Sequence, residues 1–208
     1  AERLGDGDPV AYEAPTLVEA YGLCEDERFA DQPALAECTG FFVDRELVVT
    51  AAHCARTTAD CAGLAAVRSF ALADGDAGPR PSIEPERVHR CVDIAWRSLL
   101  QGSEQLSDWA FLRVEPPLPD DVPLPPLSER SLGRGDAVAV IGHPSGLPMK
   151  VDANAFVAGG NVPSGVLLAA DTFRGSSGSP VLDASGIAGL LVAGAADWQR
   201  DGACWRAR

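Results

Sequence analysis

The chain has 208 residues, 46% of them hydrophobic, with 30 acidic against 17 basic residues and a formal net charge of −13. That length supplies one or two compact units, each with a core. The acidic balance argues against nucleic acid as a partner, because phosphate binding needs a basic patch, and no apolar run reaches the roughly 18 residues of a membrane span. The charge reads first as a solvated acidic surface and second as a weak attraction for cationic partners.

Residues 1–37 form a polar, acidic lead with weak periodicity, in which 23–29 reads as a helical turn or a loop. The N-terminus carries no apolar signal core, so an exported protein is expected to have lost its signal or to lack it here. From residue 38 the pattern becomes β. Segments 38–43 and 47–50, around a turn at Asp44-Arg45-Glu46, predict a hairpin. Further strands are expected at 67–72, 88–94 and 110–114, with a turn at Asp74-Gly75-Asp76-Ala77-Gly78-Pro79. Segment 115–127 holds six prolines in 13 residues. Proline lacks the ladder N–H, so this is a stiff extended connection rather than a strand. Short strands follow at 137–141, 151–157, 166–170, 181–182 and 187–193, a spacing that fits a barrel. The expected organisation is an N-terminal extension (1–37), a first β-barrel (38–114), a linker (115–127) and a second β-barrel (128–208).

Three short motifs carry chemistry. Gly175-Ser176-Ser177-Gly178-Ser179-Pro180 describes a backbone that turns sharply and exposes a hydroxyl. Val48-Val49-Thr50-Ala51-Ala52-His53-Cys54 leads a β-branched run into a histidine, and Ser107-Asp108-Trp109-Ala110-Phe111-Leu112 opens an apolar run with an aspartate. Singly, the histidine reads as a core residue, the aspartate as a cap and the glycine-serine stretch as a turn. Jointly, in the order His53, Asp108, Ser177, they supply a nucleophile, a base with a pKa near neutrality and a group to orient that base. Serine hydrolases on unrelated folds differ in this order.

The order and local contexts resemble those of trypsin-like serine proteases of the chymotrypsin fold, across about 38–204. More narrowly, the chain is similar to the bacterial branch that includes the glutamyl endopeptidases, whose nucleophile motif is typically Gly-Asn-Ser-Gly-Ser-Pro. The resemblance implies an all-β fold of two antiparallel six-stranded barrels with the active site in the cleft between them. It implies a serine endopeptidase in which Ser177 attacks the scissile carbonyl, His53 acts as base and then acid, and Asp108 orients His53. The N–H groups of Gly175 and Ser177 would form the oxyanion hole. Asp171, six residues before Ser177, falls where such proteases have the base of the pocket for the residue preceding the cleaved bond. A carboxylate there favours Arg or Lys, with Thr172 beside it and Gly194 and Gly202 as open walls. Glutamyl endopeptidases carry a histidine on the strand after the nucleophile; Gly189-Leu190-Leu191-Val192 has none. The alternatives are a Glu-specific endopeptidase, another acyl hydrolase, and a catalytically silent binding module of the same fold. His143, in Gly142-His143-Pro144, reads as a turn residue, and His89 as a surface or strand residue.

Related proteases bridge the positions of Cys38 and Cys54, so that disulfide is expected. Cys24, Cys61, Cys91 and Cys204 allow three pairings. The expected set is Cys61–Cys91 within the first barrel and Cys24–Cys204 between the terminal segments. Six cysteines suggest an oxidising, secreted or periplasmic setting. No cofactor motif appears, and no CxxC or paired His/Cys spacing supports a metal. A monomer acting on protein or peptide substrates is expected. Ser176 stands where animal trypsins have the aspartate that binds a newly cleaved N-terminus, so other contacts must hold the oxyanion loop. The family normally continues into a C-terminal helix; here the sequence stops at Arg208, as either a short natural ending or a truncation would leave it.

Overall fold

A computed structural model describes residues 4–5, 7, 9–72, 82–101, 106–162 and 165–208. The first half contains strand β1 (Val10–Ala11), helix α1 (Leu17–Tyr21), β2 (Gly40–Phe42), β3 (Leu47–Thr50), helix α2 (Thr58–Ala62), β4 (Ala65–Val67), β5 (Ser82–Ile83), β6 (Val88–Gln101) and β7 (Leu106–Glu115). The second contains β8 (Ala139–Gly142), β9 (Lys150–Asp152), β10 (Phe156–Val162), β11 (Gly165–Ala169), β12 (Pro180–Leu182), β13 (Ile187–Leu190), β14 (Trp198–Asp201) and β15 (Cys204–Ala207). The fold is nearly all-β.

The first sheet runs β2-β3-β7-β6-β4 and is antiparallel throughout. Its two faces follow from the period of two along each strand. Phe42, Val48, Leu112 and Ile94 form one row across four strands and face the core. Phe41, Val49, Phe111 and Trp96 form the next row and face the other way. The core takes in Ala52 and Ala55, whose small side chains let a tight 3-10 turn pack against the sheet.

The second half builds a four-stranded sheet, β13-β12-β8-β9, and a pair, β10-β11. The pair joins the sheet through the chain before β8: Val138 N–H donates to Ala155 O, and Val157 N–H to Asp136 O, both at 2.9 Å. Val138, Val140, Ala155, Val157 and Val181 fill its core. The expected six strands per barrel are thus five in the first sheet and four plus two in the second, among the described residues.

The proline-rich connection is stitched to both halves by backbone groups. The Arg45 guanidinium donates to the carbonyls of Pro119 (2.8 Å), Val122 (2.5 Å) and Asp120 (3.2 Å). Ile187 N–H donates to Pro126 O at 2.9 Å, and a Cβ on Gly186 would collide with that same carbonyl. The N-terminal segment is more than a polar lead: Val10, Leu17, Leu23, Cys24, Ala34 and Leu35 are buried. Its helix α1 starts at a capping box, with Thr16 Oγ1 accepting from Glu19 N–H and Glu19 accepting from Thr16 N–H. That Thr-x-x-Glu spacing was visible in the sequence.

Other expectations are displaced for local reasons. Strand 67–72 is instead β4, which ends at Val67 because Ser69 adopts φ +57° and turns the chain. Strand 88–94 continues to Gln101, paired with β7 through two register shifts. Strand 151–157 breaks where the Asp152 carboxylate accepts Asn154 N–H at 2.9 Å, an Asx turn. The final strand of the expected map ends at Leu190, and a hairpin, β14-β15, follows. The turn expected at 74–79 lies outside the described residues. The disulfides are Cys24–Cys204, Cys38–Cys54 and Cys61–Cys91.

His89 lies on β6 but is fully buried, not at the surface. Its Nδ1–H donates to Pro116 O at 2.6 Å, its ring meets Phe42 edge-on, and Nε2 has no partner among the described residues. Burial holds its pKa below the usual 6.5. The unfolded chain therefore takes up a proton that the folded protein refuses, and stability falls as the pH drops below the ordinary histidine value. Urea melts between about pH 7 and about pH 5 will show a shallower loss of stability in His89→Gln than in the wild type; equal slopes would remove His89 as the cause.

Candidate active site

His53 sits in a 3-10 turn, Ala52–Cys54, directly after β3. The turn aims two of its donors at one carboxylate. His53 N–H donates to Asp108 Oδ1 at 2.9 Å, and His53 Nδ1 lies 2.7 Å from Asp108 Oδ2. Asp108 is only 7% exposed. It shares the core-facing side of β7 with Ala110, Leu112 and Val114, so strand alternation points it inward. The His53 side chain is 28% exposed. The Cys38–Cys54 disulfide packs against it: both sulfurs and a ring nitrogen of His53 lie within 4.8 Å of one another. Spent in a disulfide, those sulfurs offer no thiolate for a metal.

The serine motif folds as two consecutive β-turns. Ser176 N–H donates to Phe173 O, and Ser179 N–H to Ser176 O, both at 2.9 Å. The third position of each turn is a glycine with positive φ: Gly175 at +96° and Gly178 at +91°. Turns of this kind require glycine there. Space demands it too. A Cβ on Gly175 would lie 2.6 Å from His143 O, and one on Gly178 would collide with the Thr39 carbonyl and the Thr50 hydroxyl.

These turns leave two donors free. Arg174 C=O accepts Ser145 N–H at 2.5 Å. In a trans peptide the C=O and N–H point opposite ways, so Gly175 N–H faces away from the 143–146 turn. Among the described residues, neither Gly175 N–H nor Ser177 N–H has an acceptor.

Thr39 joins the two loops. Its N–H donates to Ser177 O (2.8 Å), its Oγ1 donates to Gly175 O (2.9 Å) and accepts His143 N–H (3.0 Å), and its C=O accepts Thr50 Oγ1 (2.6 Å). Thr39 neighbours Cys38, whose disulfide reaches Cys54 beside His53. Histidine and serine are therefore tied through one buried residue. His53 and Ser177 are not hydrogen-bonded to each other, a contact that in such sites often forms fully only in the substrate complex.

Ser177 opens onto a cavity lined by Thr172, Phe173, Arg174, Leu191, Ala193, Gly194, Ala195 and Asp197. Thr172 and Gly194, expected beside the substrate, are both on this lining. Asp171 is not: it is exposed, its N–H donates to Asp152 Oδ2 at 2.7 Å, and the acidic residue on the cavity lining is Asp197. Gly202 is also displaced. It is exposed in the two-residue turn between β14 and β15, with φ +59°. The Gly202-Ala203 pair, a glycine opening a two-residue loop, was the hairpin signal that could have located it. His143 is a turn residue as expected, with Nδ1 2.9 Å from Leu147 O and its pKa lowered by burial.

A family model of the trypsin-like peptidase domain matches residues 38–188. The chain belongs to that family. Trypsin-like peptidase domains of several kinds share its fold. An inactivated protease paralogue of the scabies mite is 17% identical, with a TM-score of 0.58 over 81% of this chain and 80% of its own. A Glu endopeptidase is 19% identical, with a TM-score of 0.51 over 76% and 74%. Kallikrein-related peptidase 10 is 19% identical, with a TM-score of 0.50 over 75% of each chain. A search of curated proteins gave no match.

Thr39→Val deletes the Oγ1 bonds and leaves a buried carbonyl and N–H unpaired. Its unfolding free energy should fall by about 2–4 kcal/mol in urea titrations, while Thr39→Ser stays within about 1 kcal/mol of the wild type.

Proposed function

We propose that this trypsin-like peptidase domain is a serine endopeptidase, with Ser177 as nucleophile, His53 as base and acid, and Asp108 as the orienting carboxylate. The observation that carries this reading is the double contact of Asp108 with His53, through the backbone N–H and through Nδ1. With Nδ1–H donating to the carboxylate, Nε2 holds the lone pair that a general base needs. Ser177 Oγ then adds to the scissile carbonyl as its proton passes to Nε2. The oxyanion forms where Gly175 N–H and Ser177 N–H have no competing acceptor. Collapse expels the amine, which takes the proton back from His53. Water repeats the sequence on the acyl-enzyme and releases the acid. Each oxyanion donor contributes roughly 2.7–4 kcal/mol in such sites.

The preference for Arg or Lys rests on Asp197 rather than Asp171, since Asp197 is the acidic residue on the cavity lining, which also includes Thr172. Arg174 also lines the cavity, and it has no ion-pair partner among the described residues. Three disulfides fit a secreted or periplasmic protein.

A fluorophosphonate will label the folded protein at Ser177, with labelling lost in Ser177→Ala and slowed by at least about 10³-fold in His53→Ala. Folded protein that resists the probe would make the chain a silent binding module. Digestion of a peptide library will show cleavage after Arg and Lys. Cleavage after Glu would overturn the assignment to Asp197 and shift it to Arg174.

A further inference from the structure

The nucleophile turn has no aspartate at position 176 to accept an ion pair; Ser176 is there, and it is buried. Something else must fix the peptide that carries the Gly175 N–H. We propose that Asp197 is a positioning residue for that peptide, in addition to lining the cavity. This rests on the reading of Ser177 as nucleophile.

Two hydrogen bonds flank the Cα of Arg174. Its N–H donates to Asp197 Oδ2 at 2.8 Å, and its C=O accepts Ser145 N–H at 2.5 Å. The first bond fixes the 173–174 peptide plane and the second fixes the 174–175 plane, so both torsions of Arg174 are set. The 174–175 plane decides where Gly175 N–H points. Without the first bond the 173–174 plane is held only by Ser176 N–H on Phe173 O and the 174–175 plane only by Ser145 N–H, and beyond them the positive-φ glycine, tied through its own carbonyl to Thr39, offers less resistance to rotation than another residue would. A flipped peptide would present the Arg174 carbonyl to the developing oxyanion and remove one donor.

Asp197 is itself held firmly. Its C=O accepts Arg208 N–H at 3.0 Å. Trp198, the next residue, packs between Tyr21 and Phe173, with ring centroids 5.8 and 5.0 Å away. The hairpin that follows is tied to the N-terminal segment by the Cys24–Cys204 disulfide, and Arg206 on β15 pairs with Asp26, Glu27 and Asp201. These contacts lead from residues 21–27 to the carboxylate that orients the oxyanion loop. The whole device lies within the chain and needs no newly cut N-terminus.

Two variants separate the hydrogen bond from the charge. Asp197→Ala removes the acceptor; Asp197→Asn keeps an acceptor oxygen and removes the charge. A small fluorophosphonate without a side chain for the cavity reads Ser177 and the oxyanion donors alone. Asp197→Ala should label about 10- to 100-fold more slowly than the wild type, less than the roughly 10²- to 10³-fold cost of deleting one oxyanion donor outright, because the peptide is loosened rather than removed. Asp197→Asn should recover about tenfold of that loss. Hydrogen exchange of the 172–178 peptide gives a readout independent of activity: Arg174 N–H protection should be lost in Asp197→Ala and retained in Asp197→Asn, with the three disulfides intact in each. Labelling of Asp197→Ala at the wild-type rate, or unchanged exchange at Arg174, would overturn the proposal while leaving the serine reading in place. A wild type that does not label would instead remove the serine reading, and the exchange experiment would still decide the role of Asp197.

Discussion

Thr39 uses every polar group it has. Its N–H, C=O and hydroxyl make four hydrogen bonds, to Ser177, Thr50, Gly175 and His143, and the residue is only 5% exposed. A buried polar residue is stable only when satisfied in this way. Here the satisfaction is also the architecture. The serine turns, strand β3 and the 143–147 turn meet on one residue. Because the partners are backbone groups of Ser177, Gly175 and His143 and the hydroxyl of Thr50, none of these elements can shift without orphaning a donor or acceptor.

The two halves of the site are held by different means. The histidine half is covalent and short-range: the Cys38–Cys54 disulfide closes a separation of 16 residues, worth roughly 3 kcal/mol in the chain-entropy model, and Asp108 grips both the backbone and the ring of His53. The serine half is two glycine turns whose shape depends on groups far away in sequence. Thr39 is 138 residues from Ser177, and Asp197 lies in the segment leading into the terminal hairpin. The proline-rich connection, pinned by Arg45 on one side and by Ile187 on the other, keeps the first-half and second-half contributions in register.

What the sequence revealed follows from how local each feature is. The glycine spacing in 175–178 is a local demand for positive φ, and the β-branched run before His53 is a local demand for a strand, so both were legible. Asp108 was legible because it opens an apolar alternation. Thr39 and Asp197 were not, since a threonine after a cysteine and an aspartate before a tryptophan have no local signature; their meaning comes from partners brought in by the fold. Asp171 was misplaced for the same reason. Counting back from Ser177 assumed that the chain there runs along the cavity wall. The structure ties its N–H to Asp152 instead and leaves the side chain exposed. Gly202 was placed on the cavity by resemblance alone, whereas locally it opens the two-residue turn of the terminal hairpin.

The central claim is that this geometry makes Ser177 an acylating nucleophile. Pre-steady-state mixing of the protein with an activated ester measures it most directly. The account predicts a burst of one leaving group per chain, followed by slower turnover, with the acyl group found on Ser177 by mass spectrometry. Linear release with no burst and no adduct, from folded protein with its three disulfides formed, would contradict it.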